Sequence, residues 1–195
     1  ADCLCIKGIA REVAVLTDCS LVPVSVSIPE EDNGDDACSP TAKIIASQAC
    51  GRLLICRMQN VDNHKSTPLW MKNRLLHSGI TSHSFLVDVS NYVMLELGQP
   101  IHVYDAKQIK NTLHARYAKD KEIITCLNDK TIALEKDTLV IADDNGPISI
   151  AGIIGSQSTA VNKDSSDIVI ESAYFAPNAL IGKAKRYGLN TEASY

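Results

Sequence analysis

Hydrophobic positions recur with two different periods along this chain. In residues 5 to 17, Ile9, Val13 and Leu16 fall on one helical face with Ala10 and Ala14 alongside, which predicts an amphipathic helix. Val24, Val26 and Ile28 then alternate with Ser25 and Ser27, the period of a half-buried strand. An acidic run, Glu30-Glu-Asp-Asn-Gly-Asp-Asp36, follows as a solvated loop ending near Pro40. Residues 52 to 58 predict another strand, with Leu-Leu-Ile-Cys at its heart. Thr67 before Pro68 is a helix start, with proline suited to the first helical position. Leu69, Met71, Leu75 and Leu76 carry an apolar stripe from there to a stop at Gly79. Trp70 reads as a packing residue.

The densest pattern lies between Val87 and Tyr104. Val87 and Val89 read as a short buried strand, Ser90 as a helix N-cap, and Tyr92, Val93, Leu95 and Leu97 as a short helix ending at Gly98. Gln99-Pro100 turns the chain, and Ile101-His-Val-Tyr104 predicts a strand. Beyond it the pattern is largely strands, at residues 113–117, 122–127 and 131–134, with Asn128-Asp-Lys130 as a hairpin turn. The more apolar segments at 139–142, 148–151 and 168–171 read as central strands, and a last helix starts after Pro177. Helices and many strands without regular alternation predict an α+β (layered α/β) module with mixed strands and flanking helices.

Composition narrows the class. A chain of 195 residues suffices for one well-buried core, and no apolar run approaches the length of a membrane span. No signal peptide is visible in the first residues. Seven cysteines without any Cys-x-x-Cys fit free thiols of a reducing cytoplasm better than disulfides or a metal. A formal charge of −4 argues against a domain whose main task is gripping phosphates. The basic run Lys183-Ala-Lys-Arg186 is either a solvated helix end or a nucleic-acid contact.

Candidate chemistry is sparse. No hydrolase signature and no phosphate-cradling loop is present. Ala151-Gly-Ile-Ile-Gly155 reads as a bend where two backbones approach closely. Ser90, Asn91 and His102 either line a cleft together or satisfy backbone groups in turns. Glu171 lies in the apolar strand Ile168-Val-Ile-Glu-Ser-Ala-Tyr-Phe175, on the face of Val169 and Ala173. A carboxylate there must be paired, hydrogen-bonded or protonated.

The stretch from Val87 to Asp105, VDVSNYVMLELGQPIHVYD, resembles the pattern VDVTNYVxLExGQPMHAFD of the B3/B4 region of bacterial phenylalanyl-tRNA synthetase beta subunits. The likeness continues in register through TPLWMKNRL from Thr67, DTLVIAD from Asp137, AGIIG from Ala151, IESAYF from Ile170 and RYGLNTEAS from Arg186. It implies a compact B3/B4 fold over residues 28–195. Residues 1–27 would then belong to a preceding small domain, and the chain would be a piece of a longer polypeptide.

That family's B3/B4 region hydrolyses mischarged Tyr-tRNA(Phe). By the resemblance, His102, Thr191 and Gly155 fall on catalytic positions, and Glu171, Ser90, Asn91, Gly152 and Ala193 on substrate-binding ones. Thr81, Lys183, Lys185 and Arg186 fall on candidate tRNA contacts, although some members carry Arg where Thr81 stands. Ser90 replaces Thr but keeps the hydroxyl, and Ile101 and Val103 replace Met and Ala beside His102. The implied partners are the 3′ end of tRNA(Phe) and the alpha subunit of a heterotetramer of two alpha and two beta subunits, in the cytoplasm and without a membrane. No cofactor is implied for this part, ATP and magnesium binding elsewhere in the synthetase. The competing reading is a structural, tRNA-docking domain with a vestigial pocket.

Overall fold

The computed structural model of the chain describes residues 3–23 and 40–189. The strand expected at residues 24–28, the acidic run at 30–36 and residues 190–195 lie outside them. A first helix, α1 (Ile6–Thr17), starts at Cys5, whose Sγ accepts from the Gly8 N–H at 3.2 Å. Its apolar positions Ile9, Val13 and Leu16 are all exposed.

Strands β1 (Ala42–Ile44) and β2 (Cys50–Met58) precede the helix pair α2 (Leu69–His77) and α3 (Phe85–Leu97). Next come β3 (Ile101–Asp105), β4 (Leu113–Tyr117), β5 (Ile123–Thr125), β6 (Thr131–Ala133), β7 (Leu139–Ala142), β8 (Pro147–Ile150), β9 (Ile154–Gly155) and β10 (Ile168–Phe175). Single turns α4 (Pro177–Leu180) and α5 (Lys183–Arg186) replace the one helix expected after Pro177, because Gly182 between them takes a positive φ of 76°.

The strands form a five-stranded sheet in the order β1-β4-β7-β8-β9, a three-stranded sheet β2-β10-β3 and the hairpin β5-β6. Among the described residues only the β1–β4 pairing is parallel. The expected central strands sit inside their sheets: β7 is third of five and β10 is in the middle of three. Leu53, Tyr104 and Val169 of the smaller sheet meet Leu113, Ala115, Ile141 and Ile148 of the larger one, and this seam is the main core. Each fully buried aliphatic side chain there contributes about 1.5–3 kcal/mol. Period-two alternation sends Val140 and Ala142 to the other face of β7. There they join Ile124, Cys126, Leu134 and Leu189 in a second core under the hairpin, so β7 is buried on both sides. The turn of that hairpin has Asp129 at φ 65°, as the Asn-Asp-Lys sequence suggests.

One expectation fails outright. Residues 87–89 are not a strand but the first turns of α3, and Ser90 is inside the helix, its hydroxyl donating to the Val87 carbonyl at 2.8 Å. The helix starts at Ser84, and the N–H of Leu86 is received by Asn63 Oδ1 at 3.3 Å. Asp88 decides the matter: fully buried, it accepts from the hydroxyls of Thr67 and Ser82 and from the backbone N–H of His83 at 2.8 Å. Those bonds require a helical turn at 85–88, and they override the strand preference of two valines. Thr67 therefore serves Asp88, and α2 is entered through Pro68 without a side-chain cap. Of its apolar stripe only Met71 and Leu75 are buried, while Leu69 and Leu76 are exposed. Trp70 stands edge-on to Tyr92 of α3 with ring centroids 5.2 Å apart, and Arg74 lies over both rings, so its packing role holds.

Removing the Asp88 carboxylate leaves two hydroxyls and an N–H without their acceptor. Asp88→Ala is expected to lower unfolding free energy by about 2–4 kcal/mol, measured by urea denaturation, with an unchanged dependence on denaturant.

Candidate functional site

Register places the site. In the antiparallel pair β3–β10, Glu171 lies directly opposite His102, so the two side chains leave the same face of the sheet. Tyr104 is two residues beyond His102 on that face, diagonal to Glu171, and its hydroxyl donates to Glu171 Oε2. Tyr104 is fully buried and Glu171 is 6% exposed. The rings of His102 and Tyr104 are packed edge to face at 4.5 Å.

This burial reshapes the acid–base chemistry. Loss of water raises the Glu171 carboxyl to about 7, and the Tyr104 hydroxyl opposes that rise. Burial likewise lowers His102 to about 4, so its imidazole is neutral at physiological pH. Tyr104 is pushed well above its ordinary value by burial and by the neighbouring carboxylate. Burial also pushes the Cys50 thiol up, with the charge of Glu171 adding to the effect.

Glu171 and His102 open into a cavity of about 750 Å³. Its inner wall adds Ser149, Gly152 and Gly155, and its outer wall is largely apolar, with Met94, Leu95 and Phe175 among its members. What crowds Gly152 and Gly155 is side chains and not the second backbone expected there. A Cβ on Gly155 would overlap Cε1 and Nε2 of the His102 ring, and one on Gly152, at φ 66°, would meet Leu180 Cδ1 at 2.8 Å. Glycine at 155 is what gives the imidazole its place.

Glu171, His102, Gly152 and Gly155 therefore converge although they span some seventy positions of the chain. Ser90 and Asn91 do not line the cavity: they sit on α3 about one helical turn before Met94 and Leu95, which do. Thr191 and Ala193 lie outside the described residues. Thr81 is exposed in the link between α2 and α3. Lys183 is buried and paired with Asp137, and Arg186 bridges Glu135 and Asp137 at 2.8 and 2.7 Å, so both charges are already matched within the chain. Lys185 is exposed. Tyr104 and Ser149 were not singled out from sequence, yet the alternation that orients Glu171 also places Tyr104 beside it.

Residues 49–195 match the family model described as the B3/4 domain. The chain belongs to this family. The chain as a whole is 45% identical to a phenylalanine–tRNA ligase beta subunit of Neisseria meningitidis, and 44% identical to that of Dechloromonas aromatica. It spans about a quarter (24%) of the length of each of these relatives. Among solved structures, an N-terminal fragment of the phenylalanyl-tRNA synthetase beta subunit of Pyrococcus horikoshii aligns with 89% of this chain and 53% of its own, at a TM-score of 0.53. At 14% identity that likeness concerns the fold, and it supports the α+β architecture.

Two outcomes are expected of the B3/4 site. Gly155→Ala should drive the imidazole out of its place, and the His102 titration followed by NMR should then move from about 4 toward 6.5 as solvent returns. Glu171→Gln should stabilise the fold at alkaline pH. The folded carboxyl titrates near 7 against an ordinary 4.5, so its destabilisation is absent below 4.5 and complete above 7. The gain should reach roughly 3 kcal/mol at pH 8 and vanish at pH 4, read from denaturation curves at both values.

Proposed function

We propose that this B3/4 domain is the editing part of a phenylalanine–tRNA ligase beta subunit and hydrolyses the ester of Tyr-tRNA(Phe). The observation that carries the reading is the facing pair of Glu171 and His102 at the inner wall of one cavity, with Gly155 leaving the space in which the imidazole is seated. The names of the relatives support the assignment to the synthetase. Aminoacylation with ATP, the partner alpha subunit and tRNA(Phe) belong to the whole enzyme under this reading.

Discrimination follows from desolvation. A tyrosyl side chain donates its hydroxyl to Glu171, whereas a phenylalanyl side chain of the same shape leaves the buried carboxylate with the Tyr104 hydroxyl as its one donor and its other oxygen unpaired. A pocket that merely excluded the larger residue would admit the wrong one, so a site built around an acceptor is the effective second sieve. Hydrolysis needs a water delivered to the acyl carbon and release of the ribose oxygen. An imidazole that binds protons only near pH 4 is a poor base at neutrality, so His102 positions the water or the ester by hydrogen bonding. The 2′- or 3′-hydroxyl of the terminal ribose is the nearest further proton carrier, supplied by the substrate itself.

Deacylation of Tyr-tRNA(Phe) and Phe-tRNA(Phe) by the complete synthetase tests the reading. Glu171→Ala should lower the preference for the tyrosyl ester by about one to two decades, the worth of a hydrogen bond to a charged acceptor. A variant that melts earlier but keeps the preference would assign Glu171 a structural role and favour a docking domain. The preference should also depend on pH. Below about 7 the carboxyl is protonated and tolerates phenylalanine, so the ratio of the two rates should climb between pH 6 and pH 8.

A further inference from the structure

Tyr104 has no direct access to the cavity, since it is fully buried and is absent from the cavity wall. Its hydroxyl nevertheless ends on Glu171 Oε2, while Oε1 has no hydrogen-bond partner among the described residues. Glu171 is itself part of the cavity wall. The two oxygens are thus unequal: one is held from behind by a phenol, and the other is left for a donor that enters from the cavity. We propose that Tyr104 is a positioning residue for specificity, clamping one carboxylate oxygen of Glu171 so that the other accepts the hydroxyl of a tyrosyl group.

The proposal rests on the editing reading and deepens it. The side chain on the protein and the side chain on the substrate carry the same chemical group, so the carboxylate is flanked by two phenols in the occupied site. A carboxylate with one fixed donor has little rotational freedom left, and the ordering cost of binding falls accordingly. The same donor favours the ionised form of Glu171, the form that penalises phenylalanine. In the pattern VDVTNYVxLExGQPMHAFD the aligned residue is phenylalanine, which lacks the hydroxyl that makes the clamp.

The titratable groups facing Glu171 are Tyr104 and His102 from β3 and Cys50 from β2, with the uncharged Ser149 from β8 beside them. His102 titrates near 4, and Cys50 and Tyr104 both titrate above their ordinary values of 9.0 and 10.0. Between pH 5.5 and pH 8.5, roughly, Glu171 alone among them changes charge.

Tyr104→Phe removes one oxygen atom from the core and installs the residue of the family pattern, so the fold is retained. In the complete synthetase, the ratio of Tyr-tRNA(Phe) to Phe-tRNA(Phe) deacylation rates is measured from pH 5.5 to 8.5, beside a melting curve. The variant should lose roughly tenfold in preference at pH 7, with the midpoint of the pH profile displaced upward by about one unit. A profile and preference equal to wild type, with Glu171→Ala still abolishing the preference, would overturn the role of Tyr104 and leave the editing reading standing. A lowered melting temperature with an unmoved profile would overturn it equally. A wild-type enzyme without tyrosyl-ester preference would remove both.

Discussion

A carboxyl group set into the seam between two sheets is the constraint around which the rest of this domain is arranged. Glu171 sits on the central strand of the smaller sheet, on the face that makes the main core. Water is excluded on the side of Tyr104 and Val169, and the group reaches solvent only through the cavity. Taking such a group out of water costs several kcal/mol unless donors replace the water. The fold supplies one donor, Tyr104, and leaves the remainder of the cost in place as a raised proton affinity. Stability is surrendered at the point where the carboxyl meets the cavity.

The arrangement depends on strand register rather than on loops. His102, Tyr104 and Glu171 are all strand residues, and their mutual geometry is set by the ladder of β3 against β10. A slip of one residue would turn Glu171 outward and Ile170 inward, so the hydrophobic seam and the polar site share one register. β9 and the turn before it add a further part of the wall, where Gly155 leaves the volume that the imidazole fills.

Much of this was legible in residue patterns. The period of two that oriented Glu171 needed no tertiary information, and neither did the strand at His102 or the hairpin at Asp129. Where reading failed, a distant partner was responsible. Nothing local at Val87 and Val89 reveals that Asp88 will be bonded to Thr67, twenty-one positions earlier. Ser90 looked like a cap because its true neighbour, the Val87 carbonyl, exists only once the helix has formed. The ion pairs of Lys183 and Arg186 with Asp137 join segments nearly fifty residues apart, which turns a basic run that looked free into a fastened one. Tyr104 was passed over for a different reason: an aromatic on a strand reads as core, and only coordinates show where its hydroxyl ends.

The family match begins at residue 49, but the cavity does not respect that line. Leu4, Cys5 and Arg11 contribute to its outer wall, and Cys5 Sγ presses against the backbone of Gly98, which turns there with φ 75°. Recurrence across relatives delimits a segment of sequence, whereas a vessel for a ligand is delimited by whatever closes its sides. A polypeptide trimmed at the boundary of similarity would keep every residue of the inner wall and still present a vessel open on one flank.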